Sequence, residues 1–329
     1  MDVVRDHTDV PDRLSGAVLA IGNFDGVHRG HQAVLLRAIE IARDAGTLAG
    51  AMVFEPHPRQ FFQPDVPLFR LTPEPLKLEL FEAFGLDIAV VLGFDAGFAG
   101  LAAEDFIGDV LHEGLGVRHV VTGYDFQFGR GRLGTPELLT EMGQRLGFGV
   151  TVVEATGEAG GAFSSSRVRQ LLQDGSPEAA AEILGYWWRI AGTVAGGAKR
   201  GGGLGFPTAN FPVADGMALK HGIYAVRVFG AGSRFDAAAY LGTRPTFDDG
   251  KPVFEVFLFD FNGDLYGQEI ELELIAYLRE DARFDSAEAL KAQMQLDCAR
   301  AREAIARVAA DDPMARFPLG RRLEAQRQG

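Results

Sequence analysis

A chain of 329 residues exceeds the usual size of one domain and implies two, each long enough to bury its own core. The formal net charge of −13 excludes a broad electrostatic grip on nucleic acid or an anionic membrane, while a local basic pocket for a small anion remains compatible with it. A single cysteine, Cys298, rules out an internal disulfide and any cysteine-rich zinc module, as expected of a reducing interior.

The N-terminal "MDVVRDHTDVPDR" is charged, and "GAVLAIG" is too short for a signal sequence. With no apolar run approaching about 18 residues, the chain is expected in the cytoplasm with no membrane partner. From Ala17 to about Gly185, β-rich runs ("AVLAIG", "LAGAMVFEP", "DIAVVLGF", "VRHVVTG", "GVTVVEA") alternate with amphipathic helical stretches ("QAVLLRAIEIARDAG", "PLKLELFEAFG", "AEDFIGDVLHEGL", "PELLTEMGQRLG"). That rhythm predicts an α/β domain with a parallel sheet, whose ligands sit at the carboxyl ends of the strands.

Near Tyr186 the texture changes to strand-like runs punctuated by Gly and Pro, and a second, all-β domain begins, a sandwich or a barrel. "SAEALKAQMQLDCARAREAIARVAA" predicts one long closing helix capped by Ser286. The tail from Asp311 is polar and Arg-rich and is expected to be loose.

Three stretches carry chemistry. "IGNFDGVHRGHQAVL" ends a strand, then places His28 and His31 at the mouth of a helix expected from about Gln32, where free backbone N–H groups attract phosphate. The bland alternative is a pair of solvated loop histidines; a metal pair is disfavoured because no third ligand lies nearby. "AFSSSRVRQLL" opens another helix with serines and arginines, which serve either as simple caps or as phosphate ligands. "GGGLGFPTANFP" reads either as a flexible linker or as backbone that must approach a nucleotide closely. Glu255, on an alternating strand, is by itself an ordinary solvent-facing carboxylate.

Together these stretches resemble the nucleotidylyltransferases with HxGH and SSTxxR motifs, and more closely the bacterial bifunctional riboflavin kinase/FAD synthetases, over almost the whole chain. "GNFDGVHRGH" supplies the first motif, while "FEPHP" and "GYDFQFGRGRLG" resemble the flavin and nucleotide loops. "SSSRVR" resembles the second motif, Ser166 replacing Thr and keeping the hydroxyl. The resemblance implies a Rossmann-like nucleotidyltransferase domain (1–185), a small antiparallel β-barrel riboflavin kinase domain with its closing helix (186–310), and a polar tail (311–329).

It also implies two reactions, phosphorylation of riboflavin and adenylylation of FMN, with ATP as co-substrate and Mg²⁺ as cofactor. For adenylyl transfer, His28, His31 and Arg169 would be catalytic; Asn23, Phe24, Gly30, Ser165, Ser166 and Arg167 would hold ATP. Phe54, Pro56, Asp125, Phe126, Phe128 and Arg279 would contact flavin. In the kinase, Glu255 would be the base, Gly205, Thr208 and Asn210 would hold ATP, and Thr208 and Asn210 would hold the metal. The chain departs from the usual GRxLG approach at Gly202, with Gly196 and Ala198 at positions often polar, and Phe257 replaces a residue commonly His. Those departures keep one rival open, a monofunctional FMN adenylyltransferase whose C-terminal domain only binds flavin; the intact His and Ser/Arg motifs count against a second, a non-catalytic flavin-binding regulator.

Overall fold

The fold is that of a computed structural model, which describes residues 1–158, 161–195, 208–230, 232–243 and 252–328. It divides into two compact units, Met1–Ser165 and Ser166–Gln328. Among the described residues, no helix is long and apolar enough to cross a membrane.

The first unit is built on six parallel strands, β1 (Asp2–Val4), β2 (Val18–Ile21), β3 (Ala49–Glu55), β4 (Ile88–Gly93), β5 (His119–Gly123) and β6 (Gly149–Val153), in the order β1-β4-β3-β2-β5-β6. The central strands are almost continuously buried because helices cover both faces, hence runs of Val, Ile, Leu and Ala without alternation. Helix α1 (Arg29–Ala45) buries Val34, Leu35, Ala38 and Ala42 and stops at Gly46, whose φ of 63° suits a residue without Cβ. Helix α2 (Glu74–Phe84) follows β3, and α3 (Pro136–Leu146) precedes β6. The chain winds from β2 outward through β3 and β4, then returns to place β5 on the other side of β2. The switch point therefore lies at the carboxyl ends of β2 and β5, where open α/β sheets bind ligands. A two-strand ribbon, β7 (Gly157–Glu158) and β8 (Gly161–Ala162), follows β6.

In the second unit, α4 (Ser165–Gln173, its first residue still in the first unit) and α5 (Pro177–Leu184) precede a barrel of β9 (Arg189–Thr193), β10 (Ala209–Pro212), β11 (Gly222–Gly230), β12 (Ser233–Thr243), β13 (Pro252–Leu258) and β14 (Glu269–Arg279). The order is β10-β13-β12-β11-β14-β9, every described pairing being antiparallel, and Ala195 closes the ring by donating its N–H to the Asn210 carbonyl at 2.8 Å. Phe211, Tyr224, Val226, Phe254 and Leu272 fill the interior. Helix α6 (Ala287–Ala310), capped by the Ser286 hydroxyl as expected, lays Ala301, Ala304 and Ile305 on the outer face over Ala225 and Ala238.

Two strands were not anticipated and one expectation is corrected. The charged N-terminus contributes β1, paired to the sheet edge beside β4. The "TANFP" end of the glycine loop is a strand, β10, flanked by prolines that hid a four-residue pairing. The tail from Asp311 is not loose: Pro313–Arg316 forms a 3-10 turn and α7 (Pro318–Gln328) follows, with Met314, Leu319 and Leu323 buried. Asp312 fastens it by accepting from the Trp187 indole at 3.0 Å and the Arg227 guanidinium at 3.1 Å.

Candidate active sites

The loop from Gly22 to His28 is tied to its surroundings at nearly every residue. The buried Asp25 carboxylate accepts the N–H groups of Leu71 and Thr72, each at 3.0 Å, and the Thr72 hydroxyl donates to it at 3.3 Å. Gly26 donates to that same hydroxyl at 2.8 Å, and the Gln32 side-chain amide donates to the Val27 carbonyl at 2.8 Å. The Ser165 hydroxyl donates to the Asp25 carbonyl at 2.7 Å. These bonds hold two buried non-glycine residues, Phe24 and Val27, at φ of 47° and 39°, a conformation that persists only when its surroundings impose it.

The effect is to start α1 at Arg29, three residues earlier than the sequence suggested, so that His28 becomes its N-cap and His31 lies in its first turn. His28 Nδ1 accepts the His31 backbone N–H at 3.3 Å, which leaves the His28 proton on Nε2. The two imidazoles stack with centroids 3.5 Å apart, and the Phe24 ring meets His31 edge-on at 5.3 Å. Gly30 makes room for this: a Cβ there would lie 3.1 Å from His28 Nδ1 and Cε1. Burial, then the fields of His28 and Lys77, push the His31 pKa well below its ordinary value, so the ring is neutral at pH 7. Its Nδ1 is buried with no partner among the described residues. A helix N-terminus with a histidine cap and a neutral imidazole in its first turn is a cluster of hydrogen-bonding groups suited to a phosphate chain.

Of the other residues expected here, Asn23 is exposed at the start of the loop, whereas the buried Phe24 ring serves as the loop's plug. Ser165 begins α4; Ser166, Arg167 and Arg169 follow on its first turns, within the second unit. Of the residues expected to meet flavin, Phe54 is buried among Phe94, Phe98 and Phe106, with centroids 5.5 to 6.5 Å away. Phe128 packs on Phe106 at 5.2 Å and stacks with the half-buried Phe126 at 5.3 Å. Pro56 and Asp125 are exposed.

Sequence reasoning missed the supports. Lys77, in the first turn of α2, is 1 % exposed; its ammonium donates to the Asn23 carbonyl at 2.9 Å and lies 3.6 Å from the Glu55 carboxylate. Glu55 also accepts both terminal nitrogens of Arg70, at 2.7 and 3.1 Å. Burial works against the Glu55 charge but is outweighed by Arg70 and Lys77, which hold its pKa below the usual range. In "PLKLELFEAF" the lysine looks like any polar position of an amphipathic helix, and only the fold reveals its burial.

In the barrel, register assembles the site. Asn210 on β10 pairs with Glu255 on β13, Glu255 with Tyr240 on β12, Tyr240 with Ile223 on β11, and Ile223 with Arg279 on β14. Directly paired residues point to the same face, so Asn210, Glu255 and Arg279, distant in sequence, form one row on the outer side of the barrel. Asn210 is buried, Glu255 half-buried, and Thr208 half-buried just ahead of β10. Arg279 is engaged by the buried Asp297 of α6, donating from Nε at 2.9 Å and Nη2 at 2.7 Å. Phe257 packs beneath α6. Gly205, with Gly196, Ala198 and Gly202, lies outside the described residues.

Family models described as FAD synthetase and riboflavin kinase match residues 10–167 and 184–305. The bifunctional riboflavin kinase/FMN adenylyltransferase of Escherichia coli strain K12 is 40% identical over 289 residues, 88% of this chain and 92% of that protein. Its namesake in Pseudomonas fluorescens is 39% identical over 92% of this chain and 97% of its own length. This chain belongs to the bifunctional riboflavin kinase/FMN adenylyltransferase family. It phosphorylates riboflavin to FMN with ATP, and it adenylylates FMN to FAD with release of pyrophosphate. The presence of both domains sets aside the monofunctional and regulatory rivals. A solved structure described as a macrolide-efflux protein from Streptococcus pneumoniae is similar throughout, with a TM-score of 0.81, 29% identity, and coverage of 90% of this chain and 96% of that one.

Proposed function

We propose that adenylyl transfer takes place at the N-terminus of α1 and riboflavin phosphorylation on the Asn210–Glu255 row, with residues 1–185 serving the first reaction, 186–310 the second and 311–329 closing the barrel. The observation that carries the reading is the presence of two phosphate-suited sites, one in each unit: a stacked histidine pair at the start of a helix, and a carboxylate paired across strands with a buried amide.

At the first site an FMN phosphate oxygen attacks the α-phosphorus of ATP; the new P–O bond forms as the bond to the β-phosphate bridge breaks, its electron pair leaving on pyrophosphate. No proton need move. The chain's task is to hold negative charge, for which His28 Nε2–H, the His31 ring, the first N–H groups of α1 and Asn23 serve, with Ser165, Ser166, Arg167 and Arg169 adding donors. Gly30 lets His28 lie flat against the helix, and Phe24 plugs the loop. Pro56, Asp125 and Phe126 meet the flavin, backed by Phe54 and Phe128.

At the second site Glu255 accepts the proton of the ribityl 5′-hydroxyl as that oxygen attacks the γ-phosphorus of ATP and ADP departs. Thr208 and Asn210 present a hydroxyl and an amide oxygen, hard donors that fit Mg²⁺, and these two residues would hold it. Bound there, the ion would neutralise phosphate charge. Gly205 would bring backbone close to the nucleotide, and Arg279, held by Asp297, would present its guanidinium to flavin. We assign the enzyme to the cytoplasm, with small-molecule substrates and neither nucleic acid nor membrane as partner.

The test is separation of the activities. Glu255→Gln should lower riboflavin phosphorylation by about 10²-fold or more and spare FAD formation from supplied FMN, while His31→Ala should do the reverse by about 10²-fold. Loss of both activities in either folded variant overturns the two-site reading.

A further inference from the structure

Between the nucleotide loop and the flavin segment runs an unbroken line of charge-assisted contacts. The Asn23 carbonyl accepts from Lys77 at 2.9 Å, Lys77 faces Glu55 at 3.6 Å, Glu55 accepts from Arg70 at 2.7 and 3.1 Å, and Arg70 donates to the Gln60 side chain at 3.0 Å. Asn23 begins the loop that presents the histidine pair. Glu55 ends β3 immediately before Pro56, and Gln60 lies in the short helix Pro58–Phe62 that follows it.

The middle of this line is costly. An ammonium group that is 1 % exposed has surrendered its hydration, and an apolar side chain of similar length would fill the same space at lower cost. Stability alone therefore does not account for a lysine here. What the charge provides is one donor atom serving two elements: a carbonyl on the loop after β2 and a carboxylate at the end of β3. These neighbouring strands are joined in the sheet, yet the loops beyond their ends are not joined by it.

We propose that Lys77 is a positioning residue for FMN adenylylation: it fixes the nucleotide loop against the flavin segment, so that the two substrates are held at the distance and angle their reaction needs. The proposal rests on the reading of the α1 terminus as the adenylyl-transfer site. Lys77 itself touches no reacting atom in this scheme. Its removal lets Asn23 and Pro56 settle independently, so both substrates feel the loss. Small misplacements of two reactants are expensive in rate, since orientation is a large part of what such a site contributes.

The experiment is steady-state FAD formation from FMN and ATP in the full-length parent, Lys77→Met, Lys77→Arg and His31→Ala, at a temperature where each is folded by circular dichroism, with riboflavin phosphorylation measured on the same samples. Lys77→Met should lower kcat at least tenfold and raise the KM for ATP and the KM for FMN together, with riboflavin phosphorylation within twofold of the parent. Lys77→Arg, which keeps the charge on a longer, forked head, should show the same joint change to a smaller extent, and it carries the test if Lys77→Met does not fold. A purely structural lysine would lower the melting temperature and leave all three constants within twofold. That result, or movement of one KM alone, overturns the proposal. His31→Ala separates the two levels: if it retains parental FAD formation the site reading fails, whereas if it is inactive and the Lys77 variants behave as the parent, only the role of Lys77 fails.

Discussion

The two proposed sites face the same problem, holding phosphates and a flavin, and their frameworks differ in kind. In the first unit the functional groups ride on loops beyond the ends of parallel strands, and side chains must hold those loops from behind: Asp25 on the Leu71 and Thr72 amides, Lys77 on Asn23, Ser165 on Asp25. In the barrel the proposed groups Asn210, Glu255 and Arg279 sit on the strands themselves, and the antiparallel ladder sets their spacing, with Asp297 steadying Arg279. A loop site depends on a few buried polar contacts, each expensive to lose; a ladder site spreads the same burden over many backbone hydrogen bonds.

The sharpest way to break that contrast is at Asp25. Asp25→Ala leaves the buried Leu71 and Thr72 amides without an acceptor and should cost about 3 to 5 kcal/mol in unfolding of the first unit, abolishing FAD formation while riboflavin phosphorylation persists. Denaturant titration with both assays checks it, and a loss below about 1 kcal/mol would show that the loop is held by other means. The barrel's nearest counterpart is Asp297, which holds Arg279 at the edge of the row. Asp297→Ala should destabilise the second unit by about 2 to 3 kcal/mol and lower riboflavin phosphorylation, leaving adenylylation untouched.

Gly30→Ala sharpens the comparison because helix propensity and site geometry pull apart. Alanine favours a helix over glycine by about 1 kcal/mol, so the melting temperature should hold or rise. Its Cβ, however, would press on the His28 ring, and FAD formation should fall roughly tenfold, about 1.4 kcal/mol in the barrier. Normal turnover in that variant would mean that His28 has freedom the stacked geometry does not suggest.

The smallest expected effect is a pH dependence. Because the fold pushes His31 well below its ordinary pKa of 6.5, the unfolded chain takes up a proton there that the folded chain refuses. Stability from this group is complete above pH 6.5 and is lost as pH falls below that value toward the folded pKa. Melting temperatures between pH 7.5 and 5.5 should therefore drop more steeply for the parent than for His31→Phe, and equal slopes would remove the argument.

What was legible in the sequence follows the same division. Alternating strand and helix patterns, the HxGH spacing and the serine run identified the parallel domain and its loop motifs, because such motifs are contiguous. The supports were not legible, since Lys77 and Asp25 matter through partners about 50 positions away, as the separations of 54 and 46 residues show. In the barrel, Asn210, Glu255 and Arg279 were each found by family resemblance, but their alignment in one row depends on pairings and two register shifts in β14 that no periodicity announces. The edge strand β1 and the C-terminal helix were missed for a simpler reason: three residues make a weak strand pattern, and Met314, Leu319 and Leu323 are too widely spaced among polar residues to read as a buried face.

The fastening of Asp312 to Trp187 and Arg227 bears on the order in which the protein can be completed during synthesis. Trp187 stands just ahead of the first barrel strand, and its partner lies 125 residues later. Before residue 312 is added, all six strands have been made, yet the indole and the guanidinium still lack the carboxylate that receives both. The barrel is fastened only once residue 312 has been made, so a chain cut short ahead of it would leave the indole and the guanidinium without their shared acceptor.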